Sequence, residues 1–276
     1  MRLKTLLGDY PVTRALKAGE VKSSFVQFDF ADITPPHAGF KRVVRDLEFD
    51  VAEIAIVTFL MAKAHGKPYR LLPAVMFGRF QHPYLVSISE IKPKELEGKR
   101  VGIRSSSVTT VAWLRGILAD DHGVDLSRVH WITFEEAHVA EFRDPPGTER
   151  APAGKTPLGM LLDGEVDAAV LADPVPKDER LRSVIPDPAA AAEDWRRRKG
   201  AIQINHMVCV RNSLPQHVVD EVYRMLAESR KLGAPDSPTC PFGLENNRRN
   251  LEVAIDYVYR QGLVPKRYSV DELFEP

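Results

Sequence analysis

A short loop of hydroxyl residues near the middle of the chain has the composition of an anion-binding site. It separates the strand expected at Val101–Ile103 from a helix whose first turn carries Thr109 and Thr110. The loop residues are Arg104, Ser105, Ser106 and Ser107. Small side chains and the free N–H groups of a helix start suit a carboxylate or a phosphate. Alternatively, one serine caps the helix, the others are solvated, and the threonines serve packing and capping.

Two ionisable residues interrupt apolar strands. Glu53 lies within Val51–Ile54, and His206 lies within the long apolar stretch Ile202–Val210. A carboxyl group buried in this way suits proton transfer, because burial favours its protonated form. Glu53 could instead form a salt bridge at a sheet edge, and a lone strand histidine is more often a satisfied core residue.

Further candidates follow predicted strands. Arg79 and His82 combine an anion-binding group with one that titrates near neutral pH, unless they belong to a solvated loop. Arg14 follows the first strand and could bind a carboxylate through two hydrogen bonds, or could pair with Asp9.

A later loop adds one more acid–base pair, Glu136 and His138, which could equally lie in a charged surface loop. The eight histidines show neither HExxH nor HxH spacing. A metal held by His82, His206 and Glu53 is therefore the less favoured alternative to a site without metal.

The amino-acid composition argues against several classes of function. Lys plus Arg equals Asp plus Glu at 38 each, so no basic excess predicts nucleic acid or a membrane surface as a partner. Cys209 and Cys240 are far apart, which favours a reducing compartment over a disulfide framework. No apolar run approaches the roughly 20 residues of a membrane span, and no export signal is recognisable at the start. We therefore expect a soluble, cytoplasmic protein.

The elements that must position these residues alternate between strand and helix. Strands are expected at Leu3–Leu7, Phe25–Phe30, Phe49–Ile56, Leu71–Phe77, Tyr84–Ile88, Val101–Ile103, Trp131–Phe134, Val166–Leu171 and Ile202–Val210. Helical spacing of apolar residues lies between most of them, and residues 141–157 have the composition of a long polar loop. This alternation predicts α/β architecture with parallel strands and ligands at their carboxyl ends.

Several long segments resemble the 4,5-dihydroxyphthalate decarboxylase family. They are FKRVVRDLEFDVAEIAIVTFLMAKAHGKP (40–68), GKRVG and TTVAWLRGILADDHGVDLSRVHW within 98–131, INHMVCVR (204–211) and FGLENNRRNLEVAIDYVYRQGLVPKRYSVDELF (242–274). The family is similar to soluble relatives of type II periplasmic binding proteins. The resemblance implies two α/β lobes, 1–88 with 204–276 and 89–203, joined by hinge strands at Tyr84–Ile88 and Ile202–Val210, with a ligand cleft between the lobes.

The resemblance also implies a reaction. A carboxy-lyase of this family would act on a small aromatic acid without a redox cofactor, delivering a proton to the ring carbon that loses carbon dioxide. Either His82 or His206 would donate that proton, and Glu53 would be the base. The expected substrate-binding residues are Arg14, Arg79, Arg104, Ser105, Ser106, Ser107, Thr109, Thr110, Glu136 and His138. The alternative is a non-catalytic solute-binding protein for an aromatic or small anionic ligand. The sequence leaves a homo-oligomer open.

Overall fold

The chain folds into two compact units, each of which combines a β-sheet with helices. The computed structural model describes residues 1–276. The first unit contains Met1–Arg79, Ile202–Asp256 and Val264–Pro276, and the second contains Phe80–Ala201 and Tyr257–Leu263. No helix has both the length and the apolar character needed to cross a lipid bilayer.

Strands and helices alternate along most of the chain. The strands are β1 (Arg2–Leu6), β2 (Gln27–Phe30), β3 (Val51–Ala55), β4 (Tyr69–Gly78), β5 (Leu85–Ser87), β6 (Arg100–Ile103), β7 (His130–Thr133), β8 (Glu149–Arg150), β9 (Ala168–Val170), β10 (Arg182–Ser183) and β11 (Ile204–Arg211). The α-helices are α1 (Pro11–Lys17), α2 (Phe40–Val44), α3 (Ile56–Ala64), α4 (Thr109–His122), α5 (Pro157–Leu162), α6 (Pro188–Lys199), α7 (Gln216–Gly233) and α8 (Leu244–Arg260). Short 3-10 helices occupy Pro36–Gly39, His82–Tyr84, Pro93–Leu96, Leu126–Arg128 and Asp271–Leu273.

The sheet of the first unit has the strand order β2-β1-β3-β11-β4. Strand β1 is parallel to β2 and β3, whereas β11 is antiparallel to both of its neighbours. The prediction of purely parallel pairing is therefore wrong here, because the returning strand β11 inserts in the opposite direction. Every residue of β3 is buried, in agreement with its apolar sequence.

Helices α1 and α7 pack together in the core of the first unit. The apolar residues of α7 recur at helical spacing, at Val218, Val222, Met225 and Leu226, and all four are buried. The Ser229 hydroxyl accepts the backbone N–H of Leu16 at 3.0 Å, which fixes α7 against α1. This packing holds the turn between β1 and α1 in place.

The sheet of the second unit has the order β10-β5-β9-β6-β7-β8. Strand β6 is parallel to β7 and β9, and β5 is antiparallel to β9 and β10. Strand β8 lies inside the stretch predicted to be a long polar loop, so that prediction is wrong at Glu149–Arg150. The hydroxyl loop connects β6 to α4, as predicted.

The observed units differ from the predicted lobes at both boundaries. The first unit ends at Arg79 and not at Ile88, because β5 pairs only with strands of the second sheet. The chain passes from the first unit to the second between Arg79 and Phe80, and it returns between Ala201 and Ile202, at the start of the predicted return stretch Ile202–Val210. Strand β5 lies within the second sheet and β11 lies within the first.

A short late segment of the chain also belongs to the second unit, which the sequence did not predict. The Tyr257 ring lies 5.6 Å from the Trp113 ring, and its hydroxyl accepts the indole N–H of Trp195 at 3.3 Å. The Gln261 side chain donates to the Ala112 carbonyl at 2.8 Å. These contacts join Tyr257–Leu263 to the second unit.

Candidate active site

A buried carboxylate on β3 is the centre of a hydrogen-bonded cluster in the first unit. Glu53 is 0% exposed, and its Oε2 accepts the backbone N–H of Gly8 at 2.9 Å. Its Oε1 accepts the hydroxyl of Tyr10 at 2.8 Å and lies 2.6 Å from Nδ1 of His206. A carboxylate accepts and does not donate, so we assign the ring proton of His206 to Nδ1, where it faces Oε1.

The register of the sheet explains why Glu53 meets His206. Strands β3 and β11 are antiparallel neighbours, with Glu53 opposite Val208 and Ala55 opposite His206. Alternate residues of a strand share a face, so Glu53 and His206 are diagonal neighbours on one face of the sheet. The sequence identified both residues as candidates, and the structure brings them together.

Aromatic rings surround the histidine. The Phe40 ring meets His206 edge-on at 5.1 Å, and the Phe77 ring lies 5.6 Å from it. The Tyr10 ring stacks on Phe77 at 6.3 Å, with 7° between the ring planes. The His206 side chain keeps 14% of its exposure. The surroundings are therefore apolar on the sides of the ring, and Nε2 is the ring atom available for proton exchange.

The phenol of Tyr10 stays protonated in these surroundings. Burial is the largest cause that raises the pKa of Tyr10, and the charge of Glu53 and the hydrogen bond to it act in the same direction. Tyr10 is therefore a neutral donor to Glu53 at every pH of interest. The sequence analysis gave this residue no role.

Arg79 lies beside the same cluster. Its guanidinium lies over the Phe77 ring, 5.3 Å from the centroid, and its backbone N–H donates to the Gln203 carbonyl at 3.2 Å. Because Phe77 contacts Arg79, Tyr10 and His206, one side of the cluster carries a cation that could bind a carboxylate.

The cluster can hold and move a proton at Nε2 of His206. The carboxylate fixes the orientation of the ring and stabilises the imidazolium that forms when Nε2 takes up a proton. The prediction that Glu53 is itself the base needs correction, since a carboxylate with 0% exposure and three donors has no surface left for a substrate. Glu53 can act on a substrate only through His206.

The hydroxyl loop of the second unit is buried and hydrogen-bonded within itself. The Ser105 and Ser107 hydroxyls lie 3.1 Å apart, and the Ser106 hydroxyl is buried without a hydrogen-bond partner. No side chain caps α4, so the alternative in which one serine is the N-cap does not hold. All the predicted hydroxyl residues are buried: Ser105, Ser106, Ser107, Thr109 and Thr110.

The other predicted loop of the second unit lies at the same edge of its sheet. Strands β6 and β7 are parallel neighbours, and the Arg104 carbonyl accepts the N–H groups of Phe134 and Glu135. The Nε of Arg104 lies 3.6 Å from the Glu135 carboxylate. Glu136 is exposed and His138 is buried just beyond. Glu136 and His138 therefore follow the strand next to β6, and Glu135 immediately before them contacts Arg104 of the hydroxyl loop.

His82 does not belong to the Glu53 cluster. It lies in the second unit, it is 1% exposed, and neither ring nitrogen has a hydrogen-bond partner. Burial lowers the pKa of His82 from 6.5 to about 4, against a smaller opposite effect of Asp121. A ring that is neutral and buried at pH 7 is a poor proton donor, so the structure does not favour the catalytic role predicted for His82.

Arg14 occupies the position that the alternative interpretation described. Its side chain is 67% exposed, and its Nε lies 3.5 Å from the Asp9 carboxylate. Its guanidinium makes no hydrogen bond to Glu53, Tyr10 or His206. A surface ion pair accounts for the contact.

Four residues of the cluster were not predicted from the sequence: Gly8, Tyr10, Phe40 and Phe77. Only the turn Gly8-Asp9-Tyr10 offered a signal, because it follows the first strand and polar groups after strand ends often form sites. Its proximity to Glu53 depends on the pairing of β1 with β3, where Leu6 is opposite Ala52. Sequence alone does not give that strand order.

Comparison with known proteins identifies relatives at the level of sequence and of fold. No family model matches the sequence. The chain is 28% identical over 232 residues to a 4,5-dihydroxyphthalate decarboxylase of Comamonas testosteroni, covering 78% of this chain and 70% of that protein. It is 30% identical over 213 residues to a 4,5-dihydroxyphthalate decarboxylase of Pseudomonas putida, covering 71% of this chain and 82% of that protein.

A solved structure with the same fold is the periplasmic aliphatic sulphonate binding protein SsuA from Escherichia coli. The TM-score is 0.57 with 14% sequence identity, and the match covers 99% of this chain and 97% of that one. At this identity the likeness concerns the fold, and it confirms the predicted α/β fold of the periplasmic binding protein type. Together with the sequence relatives, which are carboxy-lyases by name, it leads to one assignment: the chain belongs to the 4,5-dihydroxyphthalate decarboxylase family.

Proposed function

We propose that this protein decarboxylates 4,5-dihydroxyphthalate or a closely related hydroxylated aromatic acid without a redox cofactor. The observation that carries the proposal is the 2.6 Å contact between the Glu53 carboxylate and Nδ1 of His206 among aromatic side chains, in a member of this family. A proton carrier held in apolar surroundings next to a cation is what the reaction needs.

The chemistry replaces one carboxylate by one proton. The hydroxyl para to the leaving carboxylate gives up its proton to solvent water, and the ring carbon that bears this carboxylate takes up a proton from His206, which produces a ketone-like ring. The bond to the carboxylate then breaks, its electron pair restores the aromatic ring, and carbon dioxide leaves. The phenolate finally regains a proton, so substrate and one proton give 3,4-dihydroxybenzoate and carbon dioxide.

His206 is the proposed proton donor to the ring carbon. Protonated at Nε2, it gives its proton to the carbon while Glu53 keeps Nδ1–H oriented, and Nε2 is protonated again before the next turnover. Glu53 stabilises the charged ring electrostatically and holds no substrate atom. Arg79 is the proposed partner of the carboxylate that stays on the ring.

The second unit supplies further candidates for anion binding. A hydroxyl without a partner, Ser106, lies in a buried loop that opens the fourteen-residue helix α4, where the helix dipole favours negative charge. We retain Arg104, Ser105, Ser106, Ser107, Thr109, Thr110, Glu136 and His138 as proposed substrate-binding residues.

The Glu53–His206 contact among aromatic side chains also supports a second candidate function, which is binding of an aromatic or small anionic ligand without chemistry. The buried hydroxyls at the start of α4 would serve this function as well as the first. The two candidates differ in the fate of the ligand.

The test is incubation of the purified protein with 4,5-dihydroxyphthalate after dialysis against a chelator, with carbon dioxide and 3,4-dihydroxybenzoate measured. We expect both products in equal amounts, and no reaction with phthalate, which lacks the para hydroxyl. 4-Hydroxyphthalate keeps that hydroxyl and should react. Folded protein that binds these acids by calorimetry but releases no carbon dioxide would reject the enzyme and favour the binding protein. Activity that requires an added divalent metal would reject the metal-free route.

A further inference from the structure

Two hydrogen-bond donors converge on one oxygen of Glu53. The Tyr10 hydroxyl and Nδ1 of His206 both meet Oε1, at 2.8 Å and 2.6 Å, while the Gly8 N–H meets Oε2 at 2.9 Å. A carboxylate held at both oxygens cannot rotate without breaking at least two of these bonds. Tyr10 therefore contributes directly to the orientation of the group that orients His206.

Tyr10 is itself held in place by its backbone and its ring. Its N–H donates to the Thr13 hydroxyl at 3.0 Å, and its carbonyl accepts the N–H groups of Thr13 and Arg14 at the start of α1. Its ring stacks on Phe77. A Cβ at Gly8 would lie 2.5 Å from the ring edge, so the absence of a side chain at Gly8 is what lets the ring lie there. The phenol thus reaches Glu53 from a rigid support.

We propose that Tyr10 is a positioning residue, which by donating to Oε1 holds the Glu53 carboxylate where it receives Nδ1–H of His206. Nε2 is then the nitrogen that exchanges protons with the substrate. The catalytic consequence rests on the proposed decarboxylation, but the orientation of the pair exists without substrate and can be measured without it.

Two other ionisable groups lie near this cluster. The Cys240 thiol lies close enough to have a small effect on Tyr10, and the Arg79 guanidinium lies over Phe77. On helix α2, the Phe40 ring packs edge-on against His206. A change in the tautomer of His206 after removal of the Tyr10 hydroxyl therefore reports on the orientation of the Glu53 carboxylate.

The test is Tyr10→Phe, which removes the hydroxyl and keeps the ring, with nitrogen-15 NMR of the histidines as the measurement. Tyr69→Phe is the matched control, because Tyr69 is a buried tyrosine of the same unit that donates to a backbone carbonyl, that of Phe49, at 2.7 Å. In the unchanged protein we expect the His206 proton on Nδ1.

Loss of the Tyr10 donor leaves only the Gly8 N–H and His206 to hold the Glu53 carboxylate, which can then turn away from Nδ1. We expect the Nδ1–H tautomer of His206 to fall from the dominant form to about half of the neutral histidine in Tyr10→Phe. The kcat for 4,5-dihydroxyphthalate should fall about tenfold with little change in KM, because the defect is in proton transfer and not in binding. Tyr69→Phe should change neither measurement.

An unchanged tautomer of His206 in Tyr10→Phe would overturn the proposal, and so would a proton on Nε2 in the unchanged protein. The tautomer of the unchanged protein can overturn the proposal even if Tyr10→Phe does not fold. If the protein releases no carbon dioxide but the tautomer changes as expected, the proposed function fails and the positioning role stands.

Discussion

Two histidines that lie beside aromatic rings, one in each unit, differ in the hydrogen-bond partners of their ring nitrogens. His206 in the first unit faces the buried Glu53 carboxylate at 2.6 Å and lies between Phe40 and Phe77. His82 in the second unit lies 6.4 Å from the Phe80 ring, and neither of its ring nitrogens has a hydrogen-bond partner. The comparison separates the effect of burial from the effect of a charged partner.

Burial by itself removes a histidine from proton transfer at neutral pH. The loss of hydration is the largest cause that lowers the pKa of His82 to about 4. Asp121 opposes this effect, and the charges of His122 and Arg198 add to it. His206 differs because the Glu53 carboxylate faces its Nδ1 at 2.6 Å and fixes which nitrogen carries the proton. Aromatic surroundings are common to both sites, so the carboxylate is the feature that distinguishes a candidate proton carrier.

The largest effect should come from the histidine that has the partner. His206→Gln removes the proton carrier but keeps a polar side chain, and we expect kcat for 4,5-dihydroxyphthalate to fall about a thousandfold, the usual scale for loss of a general acid. His82→Phe should leave kcat within about twofold. Steady-state rates of carbon dioxide release measure both variants, and circular dichroism controls for folding.

The reverse result would break the comparison. If His82→Phe abolished turnover in folded protein while His206→Gln did not, the prediction from sequence that His82 donates the proton would stand and the Glu53 cluster would be structural.

A smaller effect should appear in the acid stability of the second unit. Because folding lowers the pKa of His82 from 6.5 to about 4, the unfolded chain binds more protons between these pH values. The neutral His82 ring makes its full contribution to the free energy of unfolding above pH 6.5. That contribution is lost as the pH falls, and the loss reaches about 3 kcal/mol at pH 4. His82→Phe should remove this dependence, since no hydrogen bond of the ring is lost.

Urea unfolding at pH 7, 5.5 and 4 measures the difference. The exposed His130 provides the control, and His130→Phe should unfold with the pH dependence of the unchanged protein. A residual slope is expected in His82→Phe because burial also lowers the pKa of His122. Equal slopes in His82→Phe and the unchanged protein would show that His82 is not held neutral by the fold.

The two histidines also show how far sequence reasoning reaches. Glu53 and His206 stand out in the sequence because each interrupts an apolar strand, and the structure brings the two side chains into contact. Their contact spans 153 positions and depends on an antiparallel insertion of β11 beside β3. Such non-local pairing leaves no local pattern, so the sequence could name the two residues but not the bond between them.

The failures have physical causes of the same kind. Arg79 and His82 are neighbours in sequence, but the first unit ends at Arg79, so the two residues belong to different units. A histidine that follows a strand is expected, from sequence, to lie in a solvated loop. The structure instead places His82 in a 3-10 helix where its side chain is buried. Burial of a loop depends on what packs over it, and sequence periodicity carries no information about that. The strand and helix alternation, by contrast, is local and predicted the α/β class.

The smallest effect is expected when the two arginines, Arg14 and Arg79, are compared. Arg14 is 67% exposed and pairs with Asp9 at 3.5 Å, whereas Arg79 lies over a ring that also contacts His206. Exposed pairs contribute little, so Arg14→Ala should change Tm by less than about 2 °C and KM by less than about twofold. Arg79→Ala should raise KM about tenfold, because a charge-assisted hydrogen bond to the substrate carboxylate is lost. Equal increases in KM for the two variants, measured in one assay, would return Arg14 to the substrate-binding residues and would show that proximity to His206 does not decide which arginine binds the acid.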